Sequence, residues 1–165
     1  MPESETKTLQ GRILKAQWII GLPVLGPTWI GIGDGDWADK SNPPPVSAAA
    51  TGLTHELARK RVHRTAYLEL DDTTGTLPFR NHLYKEVAGP TPIVALYADF
   101  GPDEAVGFQV CEEGIFAGTI ETTASPYAVG AEVTLPGTLY WVRNRPVQTK
   151  ISGDVYLAVA IFEEK

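Results

Sequence analysis

Cysteine is nearly absent: Cys111 is the one thiol in 165 residues. A single thiol closes no internal disulfide and cannot build a structural zinc cluster. No apolar run is long enough to span a bilayer, so no membrane contact is expected. Met1 to Gln10 is polar and mixed in charge, without the basic start and apolar centre of a secretory signal. These absences suit folding in a cytoplasm. Excess positive charge is missing too. The net charge of −6 disfavours a general nucleic-acid binder. The local exception, Arg59-Lys60-Arg61-Val62-His63-Arg64, reads as the solvated end of a helix, with contact to an acidic partner surface as the alternative. There is no phosphate loop, no Gly-x-Ser-x-Gly elbow and no His-Glu-x-x-His, and His55, His63 and His82 lack metal spacing. No catalytic residue, metal or cofactor is therefore expected.

What is present is the composition of a globular chain, 43% apolar and 21% charged. Its length fits one domain over residues 1–165. Sixteen glycines and thirteen prolines suit a turn-rich β protein better than a helical one. Residues 1–8 read as a flexible or partner-bound arm. Leu9, Ile13, Ala16 and Ile20 share one face of a short amphipathic helix. Gly21, Pro23, Gly26 and Pro27 end it.

The chain then reaches Trp29-Ile30-Gly31-Ile32-Gly33-Asp34-Gly35-Asp36-Trp37. Ile30 and Ile32 alternate with glycine as in a half-buried strand. Gly33, Asp34 and Gly35 supply turn chemistry. A stiff loop, Asn42-Pro43-Pro44-Pro45, leads to Thr51–Arg59, where the Leu53/Leu57 spacing and Thr51 as N-cap predict a second helix. Alternation predicts strands over 62–70, 93–100, 106–110, 115–120, 137–143 and 155–162. The expected fold is a β-rich α+β domain: an antiparallel sheet or sandwich of about seven strands with one or two short helices.

Candidate chemistry is sparse. Asp34, Asp36 and Asp39 crowd one loop, but their spacing is not that of a calcium loop. Cys111 falls in an alternating strand and reads as a small packed residue. Glu112 and Glu113 could act as acid or base, but a turn position suits them better. Trp29 and Trp141 read as core. Trp37, in a polar loop, is either folded back as a lid or offered to a partner.

The order of phrases carries a resemblance. A strand enters Gly33-Asp34-Gly35. A Pro-rich loop leads to Thr51-Gly52-Leu53-Thr54-His55-Glu56-Leu57-Ala58-Arg59. Later comes Val106-Gly107-Phe108-Gln109-Val110-Cys111-Glu112-Glu113-Gly114-Ile115-Phe116. This resembles the N-terminal domain of tail-collar fibre proteins of tailed bacteriophages, over roughly residues 9–161. Glu56, Arg59, Glu112, Gly114 and Phe116 match its short motifs, while Cys111 and the shortened stretch after Phe116 depart from them. The resemblance implies a virion structural protein of the tail or baseplate, assembled in the host cytoplasm. Its partners would be other tail, baseplate or fibre proteins, and it would form a homo-oligomer, a trimer being the implied copy number. The matched pieces also make physical sense: Glu112 could accept backbone N–H groups or pair with a group near the second helix, with Arg59 as first candidate, Gly114 permits a turn, and Phe116 re-enters the core. Trp37, Pro43, Pro44 and Pro45 are the candidate partner interface. The competing reading is a small-molecule-binding or hydrolytic β-domain using Asp34, Asp36 and Glu112.

Overall fold

The computed structural model describes residues 4–23, 26–79 and 81–163. Along the chain run β1 (Ser4–Lys7), α1 (Leu9–Ile19), β2 (Pro27–Gly33), β3 (Glu56–Arg61), β4 (Arg64–Leu70), β5 (Leu77–Phe79) and β6 (His82–Val87). There follow β7 (Ile93–Phe100), β8 (Gln109–Ala117), β9 (Glu121–Thr122), β10 (Tyr127–Val129), β11 (Val133–Leu135), β12 (Thr138–Thr149) and β13 (Tyr156–Glu163). The fold is β-rich and antiparallel, as expected. It has thirteen strands among the described residues, because short pieces such as β9 to β11 carry too few residues to show a period.

One six-stranded sheet has the order β1-β12-β8-β2-β3-β10, and a five-stranded sheet the order β13-β7-β4-β6-β5. Between them lies the main core, to which Ile30, Ile32, Ile115, Phe100, Tyr156 and Ala158 contribute. The five-stranded sheet gathers a second cluster around Leu68, Tyr84 and Tyr97. A third lies on the outer face of the six-stranded sheet, where Trp29, Phe116, Leu139 and Val142 are buried beneath Val46, Ala50 and Leu53 of the loop before β3. Strand β8 is therefore covered on both faces, and every residue from Val110 to Ala117 is buried.

Four expectations change. Of the arm, Ser4–Lys7 is laid on this chain's own sheet, pairing with Asn144–Trp141, while residues 1–3 lie outside the described residues. Thr8 is buried as the N-cap of α1, its hydroxyl accepting from the Gly11 N–H at 2.9 Å. Helix α1 forms, but Leu14 and Trp18 pack inward, Trp18 on Tyr140, while Leu9 and Ile13 face out. Its surface carries two apolar stripes, and the pattern alone does not choose between them.

The predicted helix at Thr51–Arg59 is a loop running into β3. Pairing with β2 supplies more backbone partners than an isolated helical turn, and the register holds Ala58 opposite Ile32 and Arg59 opposite Gly31. An irregularity between Ile32 and Gly33 brings Glu56 opposite Gly33, so Glu56 and Arg59 share a face. Finally, Glu113-Gly114 is no turn. Both lie mid-strand in β8, Gly114 opposite Gly31 and Glu113 opposite Ile32. The glycine is needed for close approach: a Cβ there would sit 2.7 Å from Leu53 Cδ2 and 2.8 Å from Leu139 Cδ1.

Candidate partner-binding site

The loop from Asp34 to His55 lies over the outer face of the six-stranded sheet, on a floor that contains Gly31, Gly33 and Gly114. A Cβ on Gly31 would meet Phe116 Cε2 at 2.8 Å, and one on Gly33 would meet Glu112 Oε2 at 2.9 Å. Missing side chains on β2 and β8 thus admit Leu53, the Phe116 ring and the Glu112 carboxylate.

Glu112 closes this layer. Its Oε1 accepts the Thr54 N–H at 2.7 Å and its Oε2 the His55 N–H at 3.3 Å. It is 2% exposed, so the loop's own backbone supplies the donors a buried carboxylate requires. Arg59 is not its partner. Arg59 Nε and Nη2 donate to the two oxygens of Glu56 at 2.6 Å each, and Nη1 donates to the Pro136 carbonyl at 2.8 Å. Its guanidinium stacks 4.0 Å from the Phe116 ring centre. The fork geometry suits the bidentate carboxylate three residues away, which the strand irregularity has turned to the same face.

At the loop's start Asp34 accepts from Lys40 Nζ at 2.8 Å and lies 2.6 Å from His55 Nδ1. Partial burial pushes the Asp34 carboxyl up, but Lys40 and His55 outweigh it and hold it below its ordinary value. The same pair raises the Lys40 ammonium. Gly35 and Asp36 adopt positive φ, 68° and 48°, and the Trp37 ring lies directly on Gly35. Trp37 is thus folded back as a lid, half-buried, with its indole Nε1 buried and unpartnered. Asp36 and Asp39 are exposed. Pro43 is half-buried, and Pro44 and Pro45 are exposed. The loop is pinned by Asn144 Nδ2 donating to the Pro44 carbonyl at 2.9 Å and by Val147 N–H donating to the Lys40 carbonyl at 3.1 Å. Leu9 N–H adds a bond to the Ala48 carbonyl at 2.7 Å.

Cys111 is buried, its Sγ donating to the Asp34 carbonyl at 3.2 Å, and burial pushes the thiol's pKa up. Among the described residues, no three His, Cys, Asp or Glu side chains converge as a metal set.

Glu113 occupies the opposite face of β8, between the sheets. Its carboxylate accepts from Arg143 Nε at 3.0 Å, from Arg143 Nη2, from Arg145 Nη1 at 3.1 Å and from the Tyr156 hydroxyl. Burial raises its pKa, but the two arginines prevail and hold it below the usual carboxylate value. Burial, with Glu113 adding to it, drives Tyr156 well above the ordinary phenol value. Sequence reasoning did not link these four residues. The available signal was a charged residue on the face of Ile115, which needs a countercharge there.

A family model described as "Baseplate wedge 3 tail fiber network component" matches residues 6–160. The chain belongs to this family. The match spans β1 to β13 and agrees with the tail-fibre and baseplate resemblance. A baseplate component places the chain in the phage tail, and the family description is that of a structural part rather than an enzyme. No curated protein matches.

Proposed function

We propose that this baseplate-family chain is one attachment domain, which joins a tail fibre to the tail or bridges tail components. The loop of residues 34–55 is its partner-facing surface. The observation that carries the reading is the way this loop is held. Glu112, the glycine floor and the bonds from Asn144, Val147 and Leu9 lock it, yet Pro44 and Pro45 stand exposed in the same loop as Trp37. A surface fixed before binding loses little entropy on docking. In the virion the chain is a homo-oligomer, with three copies as the number the resemblance implies.

The alternative, a binding or hydrolytic domain, has less support. Glu112 is committed to backbone N–H groups and Asp34 to Lys40 and His55. An open depression flanked by Thr28, Arg61, Glu121 and Thr134 contains neither of them, nor Asp36. The test is Pro44→Glu with Pro45→Glu, both at exposed positions, followed by virion assembly with a label on this protein. We expect a folded variant that is missing from the tail, or tails without their fibres. Infectious particles with normal tail appendages carrying the labelled variant would overturn the reading.

A further inference from the structure

All but one of the cations in the run Arg59–Arg64 meet a carboxylate of this chain. Glu56 holds Arg59, Glu104 holds Lys60 at 2.6 Å, and Glu86 holds Arg64 at 2.7 Å, while His63 faces Asp99 at 3.3 Å. Arg61 is the exception. Among the described residues its guanidinium has no ion pair and no hydrogen bond, although the chain has 20 acidic residues for 14 lysines and arginines. The strand period explains the difference. Lys60 lies opposite Ile30 on the inner face, and Arg59 and Arg61 lie on the outer one, opposite Gly31 and Trp29. The irregularity that brings Glu56 to Arg59 brings nothing to Arg61.

Arg61 lines the open depression at this end of the sheet, whose volume is about 710 Å³. Trp29 and Ile120 supply its apolar lining, and Thr28 and Thr119 supply hydroxyls without a partner among the described residues. Its walls are fixed before anything docks. On one side Arg61 N–H donates to the Pro126 carbonyl and Val62 N–H to the Thr28 carbonyl, both at 2.8 Å. On the other, β9 pairs with β11, and Thr123 N–H donates to the Glu132 carbonyl at 2.8 Å. Arg59 Nη1, bonded to the Pro136 carbonyl, ties the end of β11 to β3. A site held in this way orders little on binding.

A free guanidinium presents a planar fork that matches a carboxylate. Glu121 of β9 lines the same depression and does not pair with Arg61. The two charges differ in what satisfies them. Backbone N–H groups alone serve Glu112 in this chain, whereas Arg59 and Arg64 each take a carboxylate. A polypeptide segment with one acidic side chain meets both needs, its carboxylate on Arg61 and a backbone N–H on Glu121. Small-molecule sites enclose most of their ligand. This depression is open, so its shape suits a side chain projecting from a larger surface. We propose that it is a socket for an aspartate or glutamate side chain presented by a partner protein of the virion, with Arg61 as the anchor. This rests on the attachment role for there being a partner, and not on the role of residues 34–55.

The test places Arg61→Glu in the phage, with a label on this protein, and counts labelled copies in purified particles. Arg61 makes no side-chain bond, so the purified variant should melt with the native chain. Labelled copies per particle should fall about tenfold or more, because like charges then face each other at the contact. Arg61→Lys should give an intermediate count, since an ammonium lacks the fork. Glu121→Gln should leave the count unchanged. Second-site revertants of Arg61→Glu should replace an Asp or Glu by Lys or Arg in one other virion protein, which names the partner. A normal count for Arg61→Glu overturns the proposal. So does a normal count there with loss in Glu121→Lys, the mark of a basic side chain as occupant. Particles that hold the variant in full but adsorb poorly to cells also overturn it, because the depression then serves a group on the host. If Arg61→Glu fails to fold, Thr119→Trp fills the depression from an exposed position without changing charge, and it must cause the same loss. The paired Pro44→Glu and Pro45→Glu change gives a separate outcome. Its normal assembly beside loss in Arg61→Glu removes the loop reading and leaves the socket, and the reverse result removes the socket alone.

Discussion

Glu112 and Glu113 are neighbours in sequence, both 2% exposed, and opposite in what they hold together. Glu112 looks outward from β8 and ties a loop to the sheet through two backbone N–H groups. Glu113 looks inward and neutralises Arg143 and Arg145 between the two sheets. The first carboxylate is met by neutral donors, so its removal releases a local segment. The second faces full charges, so its removal takes the carboxylate from a buried Arg143 and from a half-buried Arg145 that Gln148 also holds. A strand buried on both faces can therefore carry two adjacent charges without conflict, because the period of two assigns them separate neighbourhoods.

The largest expected effect belongs to the inner residue. Glu113→Ala should lower unfolding free energy by about 3–5 kcal/mol, since it takes the carboxylate from the buried Arg143 guanidinium. Denaturant titration reads this, and a loss below about 1 kcal/mol would show that Arg143 and Arg145 are compensated elsewhere. The pH dependence has a definite sign. The folded-state pKa of Glu113 is depressed, so its contribution is present above the unfolded value, near 4.3, and fades as pH falls through the lower folded value. Glu113→Gln should flatten the fall of Tm on acidification below about pH 4.3. An unchanged acid limb would remove Glu113 from the cause.

Next in size is Gly114→Val, at the position that follows the two glutamates. Its methyl groups collide with Leu53 and Leu139. A loss of about 1–3 kcal/mol is expected from overpacking, with Gly114→Ala milder. A neutral Gly114→Val would mean that Leu53 does not pack there in solution. Glu112→Gln follows at about 1–2 kcal/mol, because a neutral side chain serves the two N–H groups poorly. Its mark is local: limited proteolysis should cut within residues 34–55 before the sheets unfold. Cleavage no faster than in the native chain would sever Glu112 from the loop. The smallest effect is the coupling between Glu112 and Arg59. A double-mutant cycle with Glu112→Gln and Arg59→Met should give under about 0.5 kcal/mol, because Arg59 is engaged by Glu56.

Much of the fold was readable because half-buried strands declare themselves by alternation. Ile93–Phe100 matches β7 residue for residue, and the 155–162 alternation becomes β13. The errors share a cause, which is contact from far along the chain. Leu53 and Leu57 have helical spacing, but β2 recruits Glu56–Arg61 as a strand. Gly114 was read by its turn propensity, while its position is set by Leu53 and Leu139. The outer apolar stripe of α1 was visible; that it stays uncovered depends on Tyr140 receiving Trp18 instead. The grouping of Glu113 with Arg143, Arg145 and Tyr156 joins residues 30 to 43 positions apart, and no local period encodes it.

The place of β1 has a consequence for how the chain is made. β1 and α1 leave the ribosome among the first residues of this stretch, yet their support is β12, whose Leu139 and Tyr140 follow Thr8 by 131 and 132 positions. At roughly 5–20 residues per second, about 6–26 s pass before that support exists. During this interval the basic apolar helix has no sheet to rest on, and the six-stranded sheet cannot be completed. The domain must close after most of its length has been synthesised, in one late step that joins its first strand to one of its last. Early helix exposure in the nascent chain is thus a direct result of strand order, and it marks the period in which a chaperone would meet this protein.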